Sequence, residues 1–419
     1  MGAAAPARRL LLGAFGDPGH AFPMLALGEA LTRRGHEVTL QTWERWRAPV
    51  EAAGMRFAPA PEYQVFPTSE RPLKPYQAVV RAARVLEPEL CALAPDAVVA
   101  DILTLAPALA GERAGVPVAT LIPHVDPRLP PGAPPYSLGA RWPRTAAGRS
   151  LWRATDRVVR RGLEQGRAEL NETRRRLGLP PHEHVHNGIS RALSIVGTFP
   201  QLEYPFPRPP GSHIVGPLLW EPPFEEVELP PGEEPLVLVA PSTAQDAGHD
   251  LLRATLAGLA GEPVRVLATW NRRGPGPPLD LVPANARVVE WLSYARTMPR
   301  CDLVVCHGGH GTVVRALASC CPVVVAPAAG DMNENAARVA WAGAGVRIPR
   351  RLVSARTVRL AVVRALADPS ITARTRELAV WASENDAAQR AAELVEAFAV
   401  PSGGYGNIRS WTGDGLSDD

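Results

Sequence analysis

The sequence predicts an α/β protein of two Rossmann-like βαβ domains that face each other across a cleft. Three observations carry this. Short apolar runs alternate with segments of helical apolar spacing in both halves of the chain. In each half a strand-like run ends in a glycine-containing turn and leads into a helix-like segment: Leu10–Phe15 into Gly16–His20, and Leu303–Val305 into Cys306–Thr312. Between the halves, residues 215–235 are interrupted throughout by proline and acidic residues and read as a linker.

Taken in order, residues 1–214 form the first domain, with strands expected at Leu10–Phe15, Glu37–Gln41, Ala97–Ala100 and Val118–Ile122. Met24, Leu27 and Leu31 recur at helical spacing, and Arg33-Arg34-Gly35 supplies the cations and glycine that suit a helix end. Pro59–Pro75 and Pro123–Pro143 are proline-rich and read as long surface loops. Residues 236–400 form the second domain, with strands expected at Leu236–Ala240, Val264–Ala268, Arg287–Val289, Leu303–Val305 and Pro322–Ala326. A last helical stretch, about Ser354 to Ala399, should close the protein by packing back on the first domain, and residues 401–419 read as a polar tail.

Composition narrows the function. The chain has 419 residues, is 46% hydrophobic and carries a net charge of only +3, so it can build large cores and gives nucleic-acid binding little support. No run of about twenty apolar residues suggests a membrane span. Cys91, Cys301, Cys306, Cys320 and Cys321 are few and odd in number, and with no apparent signal peptide they suggest reduced thiols in a cytoplasmic protein. His182, His184 and His186 would share one face of a strand and offer a metal site, but flanking prolines, glycine and asparagine read as a loop, so no metal is expected.

Two turns carry chemistry. His20 stands just beyond the first strand of a βαβ unit, at the sheet edge where open α/β folds bind ligands. On its own it reads as a helix-start residue before it reads as a base. Asp101 ends another strand-like run, as a carboxylate partner or a loop-start cap. In the second domain, His307-Gly308-Gly309-His310-Gly311-Thr312 bends the backbone at a helix start, where N–H groups and the helix dipole favour an anion. His310, inside the turn, should face outward or towards a sugar. Ser242 and Thr243 follow the second domain's first strand and can add hydroxyls.

The segment from Trp291 to Asn335 resembles the nucleotide-sugar motif of family 1 glycosyltransferases, including plant natural-product and bacterial macrolide and antibiotic enzymes. The segments PGHAFPMLALGEALTRRGHEV and PDAVVADILTLAPALAGERAGVP resemble the same family's N-terminal segments. The resemblance covers about residues 8–400, is strongest in 19–38 and 291–345, and implies the GT-B architecture. It implies an inverting transferase that moves a hexose or deoxyhexose from UDP or dTDP to a nucleophilic group, most simply a hydroxyl, of a small hydrophobic acceptor. His20 is then the base and Asp101 its partner. Trp291 and Leu292 hold the nucleobase. His307, Gly309, Gly311, Thr312 and Ser242 hold the diphosphate, and Asp331, with Asn335, meets the sugar. No metal or resident cofactor is implied; the nucleotide sugar is a co-substrate, and the protein is a monomer or homodimer. Phe66, Tyr76, Tyr136 and Trp142, with Phe57 and Tyr63, line an acceptor pocket or simply pack the proline-rich loops. Three positions depart from the family pattern: Met332, Arg315 and Tyr294 replace residues that hold sugar or ribose hydroxyls. These departures leave an epimerase or hydrolase on the same scaffold, or a non-catalytic nucleotide-sugar-binding protein, as alternatives.

Overall fold

The structure, a computed structural model, describes residues 7–60, 75–186, 188–224, 226–242, 246, 248–270 and 282–399, with Pro75 and Tyr76 described in backbone only. Among these residues thirteen strands form two sheets. The first contains β1 (Arg9–Gly13), β2 (Glu37–Thr42), β3 (Arg56–Pro59), β4 (Ala97–Asp101), β5 (Val118–Ile122), β6 (Ser194–Val196) and β7 (Ser212–Ile214). The second contains β8 (Leu236–Ala240), β9 (Arg265–Thr269), β10 (Ala286–Val289), β11 (Leu303–Cys306), β12 (Val323–Val325) and β13 (Gly345–Arg347).

The strand orders are β3-β2-β1-β4-β5-β6-β7 and β10-β9-β8-β11-β12-β13, with parallel pairing such as Leu12 with Val99 and Val305 with Val239. Each sheet is doubly wound, so its order reverses once: between β1 and β4 in the first, between β8 and β11 in the second. Ligands of such sheets bind at the carboxyl ends of the strands at that reversal.

Helices cover both faces, which is why the strands read as continuous apolar runs. Leu10 and Leu12 face the helix Pro18–Arg33, while Leu11 faces the helix Pro75–Leu93. In β8, Val237 and Val239 face one core and Leu236, Leu238 and Ala240 the other. Full burial of one such leucine contributes about 1.5–3 kcal/mol.

The sequence reading missed β3, β6, β7 and β13. Each has three or four residues, too few for period-two alternation to emerge. The last helical stretch divides into Ala355–Ala367, Pro369–Glu384 and Ala387–Phe398, the latter two opened by side-chain caps from Asp368 and Asp386. The final helix lies on the first domain: Ala387, Ala391, Ala392 and Val395 enter the core around Leu25 and Leu27, and Glu396 accepts from Arg34 Nη2 at 2.7 Å.

A buried ionic hub joins the domains. Arg338, fully buried on the helix Met332–Ala342, donates to Glu334 at 2.8 Å, to Glu203 at 2.6 Å and to the Leu202 carbonyl at 3.1 Å. Its guanidinium also lies 3.9 Å from the centre of the Tyr204 ring.

Candidate active site

The reversal in the first sheet brings two groups together that lie far apart in sequence. His20 occupies the first turn of the helix after β1, and Asp101 is the last residue of the adjoining β4. His20 Nδ1 lies 2.8 Å from Asp101 Oδ1. The other carboxylate oxygen accepts from the Phe15 backbone N–H at 3.3 Å and from Thr104 Oγ1 at 3.4 Å, fixing the fully buried side chain. A carboxylate beside Nδ1 places the proton there and leaves Nε2 as a lone pair. Burial alone would lower the His20 pKa. The charge and hydrogen bond of Asp101 outweigh it, with smaller help from Asp17 and Asp331, and the pKa rises.

A second imidazole stands beside the first. His124, two residues beyond β5, packs its ring edge-on to His20, with centroids 6.3 Å apart and planes at 83°. Its Nδ1 is 2.8 Å from the Val125 carbonyl, and the Tyr136 hydroxyl lies 3.4 Å from the same nitrogen. Burial lowers its pKa, as does the neighbouring His20. The sequence reading missed His124. The strand-end rule that picked out His20 applies to it too, but the proline-rich loop drew attention to its aromatics instead.

In the second domain, Gly309 caps the helix His310–Ala318 and leaves the first N–H groups of that helix without intrahelical partners. Gly308 has φ +87°, and a Cβ there would meet Val325 at 2.9 Å, so the turn needs glycine. A Cβ on Gly309 would lie 2.5 Å from His307 Nε2. Beyond Gly311 the space is open, and Thr312 is half-buried. His307 donates from Nδ1 to the Ala240 carbonyl at the end of β8, 3.1 Å away, and burial lowers its pKa.

Asp331 stands at the N-cap position of the helix Met332–Ala342, without a side-chain cap bond, and its charge acts on His20 and His124 of the first domain and on His307 of the second.

Other expected residues fall as follows. Trp291 lies just past β10 with 49% of its surface exposed, while Leu292 is 5% exposed and packs in the second domain's core. Ser242 is buried just after β8, and Thr243 lies outside the described residues. Asn335 is buried and donates to the Gly308 carbonyl at 2.9 Å. His310 is a correction: it does not face outward but is buried, which pushes its pKa down to about 3, and Nε2 donates to the Gly197 carbonyl of the first domain at 3.3 Å. Tyr136 reaches the site through His124. Trp142 does not: its ring stacks on Tyr204 at 4.4 Å, which favours the packing reading. Phe57 is buried in the first core, whereas Tyr63, Phe66 and the Tyr76 side chain lie outside the described residues. The departing Arg315 donates to the Trp220 carbonyl at 2.8 Å, and the Tyr294 N–H donates to Glu221 at 2.8 Å. Both tie the linker to the second domain. Among the described residues no group of three His, Cys, Asp or Glu side chains could hold a metal, and no helix is long and apolar enough to cross a membrane.

Residues 10–120 match the glycosyltransferase family 28 N-terminal domain, and residues 255–399 match the C-terminal domain of erythromycin biosynthesis protein CIII-like proteins. The 4'-demethylrebeccamycin synthase of Lentzea aerocolonigenes is 32% identical over 93% of this chain and 99% of its own length. The chain belongs to the family 1 glycosyltransferases. The O-mycaminosyltylonolide 6-deoxyallosyltransferase of Streptomyces fradiae is 29% identical to this glycosyltransferase, over 93% of this chain and 97% of its own. Its fold is GT-B: the solved glycosyltransferase of kitacinnamycin superposes with a TM-score of 0.73 (22% identity, 94% of this chain, all of that one), and the calicheamicin glycosyltransferase with 0.69 (23%, 93% and 98%). A third neighbour, at 0.68 and 18% identity over 93% and 99%, was solved in complex with dTDP.

Proposed function

We propose that this glycosyltransferase is inverting and metal-independent, and moves a hexose or deoxyhexose from a UDP or dTDP sugar to a hydroxyl of a small hydrophobic natural product. The His20–Asp101 pair, at the carboxyl ends of the strands where the first sheet reverses, carries the reading. A relative named for 6-deoxyallosyl transfer and a neighbour solved with dTDP support a deoxyhexose donor.

His20 Nε2 accepts the acceptor hydroxyl's proton as the oxygen attacks the anomeric carbon. Asp101 stabilises the imidazolium that forms. The bond from the anomeric carbon to the β-phosphate oxygen breaks as the new one forms. A single displacement of this kind inverts the centre. The departing diphosphate is met by the open helix start at His310–Thr312 and by His307, which act where negative charge develops.

Incubation with a panel of nucleotide sugars and aromatic or macrocyclic acceptors should give a glycoside of opposite anomeric configuration, seen by mass spectrometry and NMR. Activity should persist in EDTA. Retained configuration, or activity lost in EDTA and restored by magnesium, would overturn the corresponding part of the reading.

A further inference from the structure

The charge of this chain is unevenly spread. Residues 141–163 hold seven arginines and one acid, Asp156, a net charge of +6 in a chain of net +3, so the remainder carries −3. All seven arginines, from Arg141 to Arg161, are exposed, and among the described residues none forms an ion pair. The one acid is committed elsewhere: Asp156 accepts from the Gly132 N–H at 3.0 Å. At the far end of the same helix the pattern is ordinary, with Arg174 paired to Glu112 and Arg175 and Arg176 to Glu172.

Two helices display this surface, Ala146–Arg153 and Asp156–Arg176. Arg157, Arg160 and Arg161 stand three and four residues apart and share one face of the second; Arg149 and Arg153 do so on the first. The first helix has eight residues and buries none of them. So short a helix is marginal in water without packing. Its local support is the Thr145 hydroxyl, which accepts from the Gly148 N–H at 3.1 Å. Leu151 and Val158 are 70% and 72% exposed, the highest values among the large apolar side chains described. A nucleic acid or an acidic polypeptide satisfies the arginines and leaves these two side chains in water. An anionic bilayer satisfies both: guanidinium groups stay at the phosphates while arginine stems and apolar side chains enter the acyl boundary. Gly132 ties the surface to the cleft. It has φ +80°, a Cβ on it would lie 3.2 Å from the Arg149 carbonyl oxygen and 3.3 Å from the Arg153 stem, and it belongs to the loop that carries His124 and Tyr136.

We propose that residues 141–163 form a docking surface for an anionic lipid membrane, with the arginines on the headgroup phosphates and Leu151 and Val158 inserted below them. The inference goes beyond the transferase reading and does not depend on it. Combined with that reading, docking brings the loop beside the cleft to the phase in which hydrophobic acceptors concentrate.

The test is co-flotation of the full-length protein with vesicles of phosphatidylcholine alone, or of phosphatidylcholine and phosphatidylglycerol in equal parts. Wild type should float with the anionic vesicles and not with the neutral ones, and added salt should weaken the binding. Each arginine is worth about fivefold near such a surface, so Arg157→Gln/Arg160→Gln/Arg161→Gln should weaken binding about 100-fold and Arg149→Gln/Arg153→Gln about 25-fold. Leu151→Ser/Val158→Ser keeps every charge and should still weaken it about tenfold or more. Every substituted side chain is exposed, so circular dichroism and the urea midpoint should match wild type. No flotation of wild type, equal flotation with neutral vesicles, or a serine variant that binds like wild type would each overturn the proposal. So would duplex DNA or polyglutamate bound more tightly than the anionic vesicles, which would assign the surface to another polyanion. Flotation needs no turnover, so failure of the transferase reading and failure of the membrane surface are distinguishable.

Discussion

His307 can hold a diphosphate only by changing its protonation. Its one ring proton is committed to the Ala240 carbonyl through Nδ1, and burial lowers its pKa, so in the free protein Nε2 is a lone pair. A lone pair repels a phosphate oxygen. The imidazole must gain a proton as the donor binds. An opposite charge in contact typically raises such a pKa by about 1–3 units. Each unit is about tenfold in affinity, so the full titration spans about 10- to 1,000-fold. The sign follows: the stabilisation is complete below the free-state pKa, which lies under 6.5, and is lost as pH rises through the bound-state value. The charged groups acting on the ring, Asp331 and Asp246, are acidic and favour uptake without supplying it in the free state. The assay is calorimetry of an intact nucleotide sugar, whose esterified diphosphate does not titrate near neutrality, over about pH 6–9. Runs in buffers of different ionisation heat count the protons. Wild type should take up close to one proton where affinity is steepest, and His307→Gln should show a flat profile. Binding without proton uptake, or the same slope in His307→Gln, would refute the reasoning.

Other outcomes follow from the same geometry. His20→Ala should lower kcat about 100- to 10,000-fold while nucleotide affinity stays within a few-fold; an unchanged kcat would remove His20 from the chemistry. Asp101 raises the His20 pKa, so Asp101→Asn should shift the acid limb of the kcat/KM profile to lower pH and reduce the plateau; a limb that stays put would separate the pair. Trp291, half exposed beside the second sheet, should contribute base stacking worth about 1–3 kcal/mol, so Trp291→Ala should weaken UDP or dTDP about 5- to 150-fold by calorimetry. Arg338→Met strands buried carboxylates and should cost about 3–5 kcal/mol in urea unfolding, much of it recovered by adding Glu203→Gln and Glu334→Gln. A single variant within about 0.5 kcal/mol of wild type, the range of an ordinary surface substitution, would show that the hub is solvated.

The parts of this site that the sequence discloses are those set by local chain geometry. A strand's apolar run, the turn beyond it and the helix start are contiguous, so His20, Asp101 and the His307–Thr312 turn could each be placed at a strand's carboxyl end. What sequence conceals is which face a side chain takes once two domains meet. His310 and Asn335 sit in the same motif as His307, yet one is spent on Gly197 of the other domain and the other on the Gly308 carbonyl. Nothing in the local sequence marks Arg338 for burial, because its partner Glu203 lies 135 residues away. Arg315, which stands where the family pattern has a ribose contact, instead donates to the linker's Trp220 carbonyl.

That difference also bears on which histidine the proposed mechanism uses as its base, without appeal to resemblance. Four imidazoles crowd this cleft: His20, His124, His307 and His310. All lose water on burial, which by itself drives each towards the neutral, weakly basic form. Three of them have a backbone carbonyl as their closest partner: Val125 for His124, Ala240 for His307 and Gly197 for His310. A carbonyl fixes a tautomer but brings no full charge, and all three pKa values fall. His20 alone has a carboxylate at 2.8 Å, and its pKa alone rises. A general base must gain a proton in the transition state, and of the four rings only this one has a carboxylate in hydrogen-bond contact to stabilise that gain. The carboxylate partner thus separates His20 from the other three rings, whose carbonyl partners fix a tautomer without favouring a charge.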